Sequence, residues 1–204
     1  MNSVIVMRPD YRLLAGIAIP IVFGFSILVL ATLVDGYSHV SQTVSEIGDT
    51  GSAAEIPWKI ADLLVALGFL AFASGIYRFA RERSVSAWPA YVVGYFGLMS
   101  VGISIFESPH PLHNVFGLSL TLGYMAPLVM ALSWRKQDWA GSLVKYSWIS
   151  WILVVIAIFL NLAPAFARDL YPLEYYGLVQ RSLFLVFYGF WCSVISWKLY
   201  KIGS

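Results

Sequence analysis

Six apolar runs, each long enough to cross a bilayer as a helix, constrain this chain more than any other feature. Breaks at charges, Gly and Pro delimit them as Leu13 to Val34, Pro57 to Phe79, Trp88 to Phe106, Val115 to Trp134, Tyr146 to Phe166 and Val179 to Tyr200. A helix rises ~1.5 Å per residue, so about 20 residues cross ~30 Å of hydrocarbon. Unbroken apolar runs exclude the alternating strands of a membrane barrel. Composition agrees, with 59% hydrophobic and 12% charged residues where a soluble domain carries about 25% charge. The mean hydropathy is +0.76. The expected fold is all-α: a polytopic integral membrane protein, one six-transmembrane-helix bundle filling all 204 residues with no room for a second domain.

Arg8 and Arg12 precede the first run as in a signal peptide. That run is too long for a signal h-region, and it ends in Thr32-Leu33-Val34-Asp35 rather than a small-x-small site, so it reads as a retained span. Basic residues set the expected orientation. With the N-terminus cytoplasmic, Arg8, Arg12, Arg78, Arg81, Arg83, Arg135, Lys136, Lys145, Lys198 and Lys201 fall inside, and Lys59, Arg168 and Arg181 outside. Both termini are therefore expected in the cytoplasm, with membrane lipid as the surrounding partner. All three histidines and most acids, including Asp35, Asp49, Glu55, Asp169 and Glu174, then lie on the outer side.

A net charge of +2, with no Lys/Arg cluster and no Gly-rich phosphate loop, argues against a nucleic-acid partner. The single cysteine, Cys192, sits among Phe190, Trp191, Val194 and Ile195 and reads as a buried, inert thiol. Oligomeric state is not legible.

The polar residues gather in a few places. Glu107-Ser108-Pro109-His110-Pro111-Leu112-His113-Asn114 interrupts two apolar runs and carries two of the three histidines. Pro109 and Pro111 preclude one continuous helix there, but Pro111 suits the first residue of span four, which puts His113 in its first turn. A helix start also offers donors to an anion. In the first outer loop, Tyr37 to Gly48, Thr43 and Glu46 have capping-box spacing and Gly48 serves as a stop, so a short helical turn is expected. The plainer alternative is that Ser41, Thr43 and Ser45 merely satisfy backbone groups. In span two, Lys59 and Asp62 share a helix face, and Asp62 is expected to face the bundle interior, paired with Lys59 or with a group from another helix and holding the bundle in register. Gly94, Gly97 and Gly102 offer close packing in span three. Span five carries Asn161 and Pro164 near its outer end. Tyr171, Tyr175 and Tyr176 fit an interfacial aromatic belt. Arg181, at the outer start of an apolar helix, admits snorkelling, an ion pair or ligand binding.

At Tyr37-Ser38-His39-Val40-Ser41-Gln42-Thr43-Val44-Ser45-Glu46-Ile47-Gly48, at His113 and at Gly177-Leu178-Val179-Gln180-Arg181, the chain resembles a prokaryotic six-helix membrane family, domain of unknown function 998. The resemblance covers nearly the whole chain and implies a compact six-helix protein of a prokaryotic plasma membrane, without a stated reaction. It points to Ser45, Glu46, Gly48, His113 and Arg181 as the positions that matter. Glu107-Ser108-Pro109-His110 stands where the family often has an Asp-containing segment.

Three classes of function follow. Glu107, His110 and His113, with His39, Glu46 or Asp62 nearby, are the ligand types of a zinc site, which would make a membrane hydrolase acting on a lipid or small molecule. The spacing matches no established metal motif. A second enzymatic route uses Ser41 or Ser45 with a histidine, although no nucleophile elbow is present. In the competing class, Asp62, Lys59, Arg181 and His39 line an outward cavity of a small transporter or ligand-binding protein. A third class, an accessory subunit, needs no chemistry.

Overall fold

The computed structural model describes residues 10–167 and 173–204; Arg8, Arg168, Asp169, Tyr171 and Pro172 lie outside them. Six helices long and apolar enough to cross a membrane account for most of the described residues: α1 (Tyr11–Leu33), α2 (Glu55–Glu82), α3 (Trp88–Ile105), α4 (Pro111–Trp134), α5 (Asp138–Ala165) and α6 (Leu173–Gly203). Several extend beyond their apolar runs because helix ends accept charges that complement the dipole. Glu55 occupies the first turn of α2 and Arg81 its last.

The helices close a ring. In sequence order each packs on the next, and α6 returns to α1. Without a hydrophobic drive between helices in lipid, this packing rests on close fit. At Gly97 an added Cβ would lie 3.0 Å from Phe69 and Leu70, and at Gly102 it would lie 2.3 Å from the Phe116 ring, so these two glycines admit α2 and α4. Phe69, Phe96, Phe187 and Trp191 are fully buried in the ring's centre, with centroid separations of 4.6 Å (Phe69–Phe96), 5.1 Å (Phe96–Phe187) and 5.3 Å (Phe187–Trp191). The outer surface inverts a soluble protein's pattern: Leu28, Leu118 and Leu185 are each about two-thirds exposed, as lipid-facing side chains must be.

Two helices are irregular at the same depth. α4 is α-helical over Pro111–Gly123 and again over Ala126–Trp134, broken at Tyr124 and Met125, with Pro127 in the second segment's first turn. Proline's missing N–H and its ring are what such a break accommodates. α6 passes through a π-helical stretch at Leu185–Cys192, which carries Tyr188 inward. Both halves of α4 pack on α3, but only its second half packs closely on α5, so the outer halves of α4 and α5 diverge.

The end of the bundle that holds Asp10 and Ser204 gathers basic residues. Arg12 bridges Asp10 and the Ser74 hydroxyl (2.7 Å), and Arg83 donates to the Ile202 carbonyl (2.9 Å) while lying over the Phe79 and Trp139 rings. The opposite end is closed by the long segment between α1 and α2 and by residues 106–110 between α3 and α4.

Candidate functional site

The segment between α1 and α2 is held in place by α6. The Arg181 guanidinium donates to the carbonyls of Gln42 (2.9 Å) and Gly177 (2.8 Å), to the Tyr37 hydroxyl and to His39 Nδ1 (3.3 Å). A guanidinium only donates, so His39 presents a lone pair to it and is neutral. Burial, and then the Arg181 charge, lower the His39 pKa accordingly. Next to Arg181, Gln180 Oε1 accepts the Val44 N–H (2.8 Å), and the Leu178 N–H reaches the Val40 carbonyl (3.1 Å). Gly177 permits this approach: a Cβ there would lie 2.4 Å from the Gln42 carbonyl oxygen and 2.8 Å from that of His39. Arg181 and His39 thus hold the segment down, and neither lines the cavity described below.

Within this segment Glu46 accepts the Thr43 N–H (2.8 Å), the Thr43 hydroxyl (2.8 Å) and the Gln42 amide (2.9 Å). Burial pushes its carboxyl up, but these bonds and the Arg181 charge outweigh it, leaving the pKa below the ordinary range. The expected capping box is therefore half formed: the acid reaches back, while the Thr43 hydroxyl is used on the acid itself. The turn it stabilises is the 3-10 turn Ser45–Gly48. Ser45 stands at its start, facing inward and half-buried; Ser41 is exposed outside the cavity.

The other half of the site comes from the start of α4. Pro111 opens the helix, and His110 is its N-cap, its Nδ1 accepting the Leu112 N–H (3.2 Å). His113, three residues on, turns into the bundle. Its Nδ1 lies 2.9 Å from the Phe106 carbonyl and its Nε2 lies 3.2 Å from Ser45 Oγ. A carbonyl can only accept, so Nδ1 carries the proton; in the neutral ring Nε2 then holds a lone pair for the Ser45 hydroxyl. A serine, a base, and a third group fixing the base's tautomer is the arrangement of an activated nucleophile.

Glu107 turns elsewhere. It pairs with Lys59 Nζ at 2.7 Å, and that contact above all holds its carboxyl below the ordinary range. The Thr50 N–H reaches the Ser108 carbonyl at 3.0 Å, so the two connecting segments are tied together. Lys59 therefore does not pair with Asp62: the flexible Lys59 stem reaches up to residues 106–110, while Asp62 turns inward. Among the described residues, no three His, Cys, Asp or Glu side chains are placed to hold a metal ion. The expected zinc trio of Glu107, His110 and His113 does not converge. The two prolines send the acid to Lys59, one imidazole to the helix cap and the other into the bundle.

The Ser45–His113 pair opens onto a cavity of about 420 Å³. Its outer rim includes Asn114, Gln180 and Tyr176. Because Gln180 Oε1 is engaged by Val44, the Gln180 amide group is left as a donor. Asn161 uses its amide on the Ala157 and Val179 carbonyls (2.8 and 3.2 Å), which leaves its oxygen as an acceptor. The floor holds Asp62, whose carboxylate the Trp58 side chain hydrogen-bonds, and the mutually bonded hydroxyls of Tyr124 and Tyr188. One wall includes Gly117, Leu118 and Thr121 of α4 and Ile158 and Leu162 of α5. Leu118 and Leu162 are themselves lipid-facing, so the cavity reaches the side of the bundle where α4 and α5 diverge.

Sequence reasoning assigned no chemistry to Gln180, Tyr124 or Tyr188. Gln180 lay inside the quoted Gly177–Arg181 motif. A tyrosine in the middle of an apolar span, away from the interfacial belt, is itself a signal that a polar partner waits inside.

No curated protein and no solved structure matches the chain. The family described as "Protein of unknown function (DUF998)" matches residues 17–198. With that match spanning all six helices, the chain belongs to the membrane protein family called domain of unknown function 998.

Proposed function

We propose that this protein is a membrane-embedded serine hydrolase or acyltransferase acting on an acyl lipid, with Ser45 as nucleophile and His113 as general base. The observation that carries it is the 3.2 Å contact between Ser45 Oγ and His113 Nε2 at the mouth of the cavity, with His113 Nδ1 held by Phe106. Ser45 attacks an ester carbonyl as His113 takes its proton; the acyl–oxygen bond breaks, and the same proton passes to the departing alkoxide. Water or a second alcohol, deprotonated by His113, then releases the acyl group. The amides of Gln180 and Asn114 are the side-chain donors on the rim suited to the developing oxyanion.

A lipid substrate is favoured by the lateral opening between α4 and α5, which gives an acyl chain a route from the bilayer. The basic residues at the terminal end favour the cytoplasm for that end, which turns the site to the extracytoplasmic leaflet of a plasma membrane. Glu107 and His110 serve as structural neighbours, and no metal step is needed.

The test is covalent labelling of purified protein in mild detergent with an uncharged alkyl fluorophosphonate. One adduct on Ser45 is expected, absent in Ser45→Ala and strongly slowed in His113→Gln. A folded wild-type protein that takes no adduct, or takes it on another serine, would overturn the assignment.

A further inference from the structure

The cavity floor has a chemistry that the Ser45–His113 pair does not use. Among the described residues lining the cavity, Asp62 is the one acidic side chain, and no Lys or Arg lines it. Asp62 lies one helical turn, ~6 Å, deeper along α2 than Trp58, and none of the ion pairs among the described residues includes it. A carboxylate at that depth without a counter-charge is costly.

Around it stand aromatic rings that also line the cavity. Phe23 sits at the centre, with centroids 6.1 Å from Trp58, 5.0 Å from Phe184 and 5.0 Å from Tyr188; Phe184 and Tyr188 are 5.4 Å apart. Ring faces carry negative potential, and a cation packed on several of them beside a carboxylate is attracted by both.

We infer that the floor of the cavity is a subsite for an organic ammonium group, with Asp62 as counter-ion and Phe23, Trp58, Phe184 and Tyr188 as its aromatic wall. The inference rests on reading the cavity as a substrate site, and it narrows the substrate to one bearing a quaternary or primary amine. An ammonium set on Asp62 supplies the missing counter-charge. A phosphate or carboxylate driven to the same depth would meet Asp62 with like charge and find no basic side chain lining the cavity.

The test uses full-length protein in a nonionic detergent and a shape-matched pair of probes: choline, and 3,3-dimethylbutan-1-ol, in which carbon replaces the nitrogen. Saturable choline binding at least 10-fold tighter than the neutral probe is expected for wild type, and the ratio should fall to near one in Asp62→Asn. Phe184→Leu, which keeps the carboxylate, should weaken choline alone, by about 2- to 5-fold. Equal affinity for the two probes, or no saturable choline binding by folded wild type, overturns the subsite. Ser45→Ala separates this from the reaction: it should bind choline as wild type does. Choline binding without fluorophosphonate labelling leaves the subsite standing and removes the nucleophile. Labelling without choline binding does the reverse.

Discussion

Replacing Gly177 with alanine tests whether the reactive pair depends on how the α1–α2 segment docks. The new Cβ would sit 2.4 Å from the Gln42 carbonyl oxygen, 2.8 Å from that of His39 and 2.9 Å from an Arg181 nitrogen. Carbon–oxygen contacts begin near ~3.3 Å, so the backbone at Gln42 must retreat by roughly 0.9 Å. Two of the three obstructing atoms are backbone, so no rotamer change relieves them. Such overpacking costs about 1–3 kcal/mol, small against six helices that stay in place. The segment carries Ser45, three residues beyond Gln42, and the same retreat would stretch its 3.2 Å contact with His113 to about 4 Å, beyond hydrogen-bond reach. A misplacement of ~1 Å in a reacting pair is worth ~10²-fold in rate. Gly177→Ala should therefore label with fluorophosphonate on the order of 100-fold more slowly, with unchanged helix content by circular dichroism. Gly24→Ala, whose Cβ meets nothing within 4 Å, serves as control and should label normally. A Gly177→Ala protein that labels within about twofold of wild type would refute the docking argument.

Other outcomes follow from the same geometry. His110→Ala removes an N-cap and should cost about 1 kcal/mol in thermal stability while leaving labelling intact, whereas His113→Gln loses labelling; identical behaviour of the two would contradict their different placements. Glu107→Gln should loosen the tie to Lys59 by on the order of 1 kcal/mol, since the pair is partly exposed, and be read as faster hydrogen exchange in residues 106–110. Acid should release the α1–α2 segment in two stages. His39, Glu46 and Glu107 all have folded-state pKa values below their ordinary ones, so each contributes stability above its ordinary value that is lost as pH falls through its folded value. Loosening should begin below about 6.5 as His39 protonates beside Arg181 and continue below about 4.5 as the glutamates do. His39→Gln should abolish the first stage, visible by limited proteolysis between Asp35 and Gly51; a single stage in wild type would contradict this.

The six spans were legible because apolar runs of bilayer length admit few alternatives. Pro111 as the start of α4 was legible from its own covalent geometry, and the place of His113 in the first turn followed from it. The partners were not. Lys59 and Asp62 have the spacing of a helix pair, but spacing says nothing about Glu107, which arrives from a connection some fifty residues later and takes the lysine. Arg181 admitted snorkelling, an ion pair or ligand binding because an arginine at a helix start in lipid is costly. Its partners, the carbonyls of Gln42 and Gly177, are backbone groups whose positions no sequence pattern reports. The cavity floor was hidden for a further reason: Tyr124 and Tyr188 reach it through a break in α4 and a π-helical stretch in α6, where the regular helical period fails.

The contact between Ser45 and His113 joins residues 68 positions apart, one on a connecting segment and one on a helix. Neither half is reactive alone: the serine is ordinary until the imidazole arrives, and the imidazole takes its tautomer from α3's end. Chemistry in this molecule is thus a report on completed assembly. A copy caught during insertion, or one stripped by a harsh detergent, can keep every helix and be silent. An activity-based probe would count finished molecules rather than total ones.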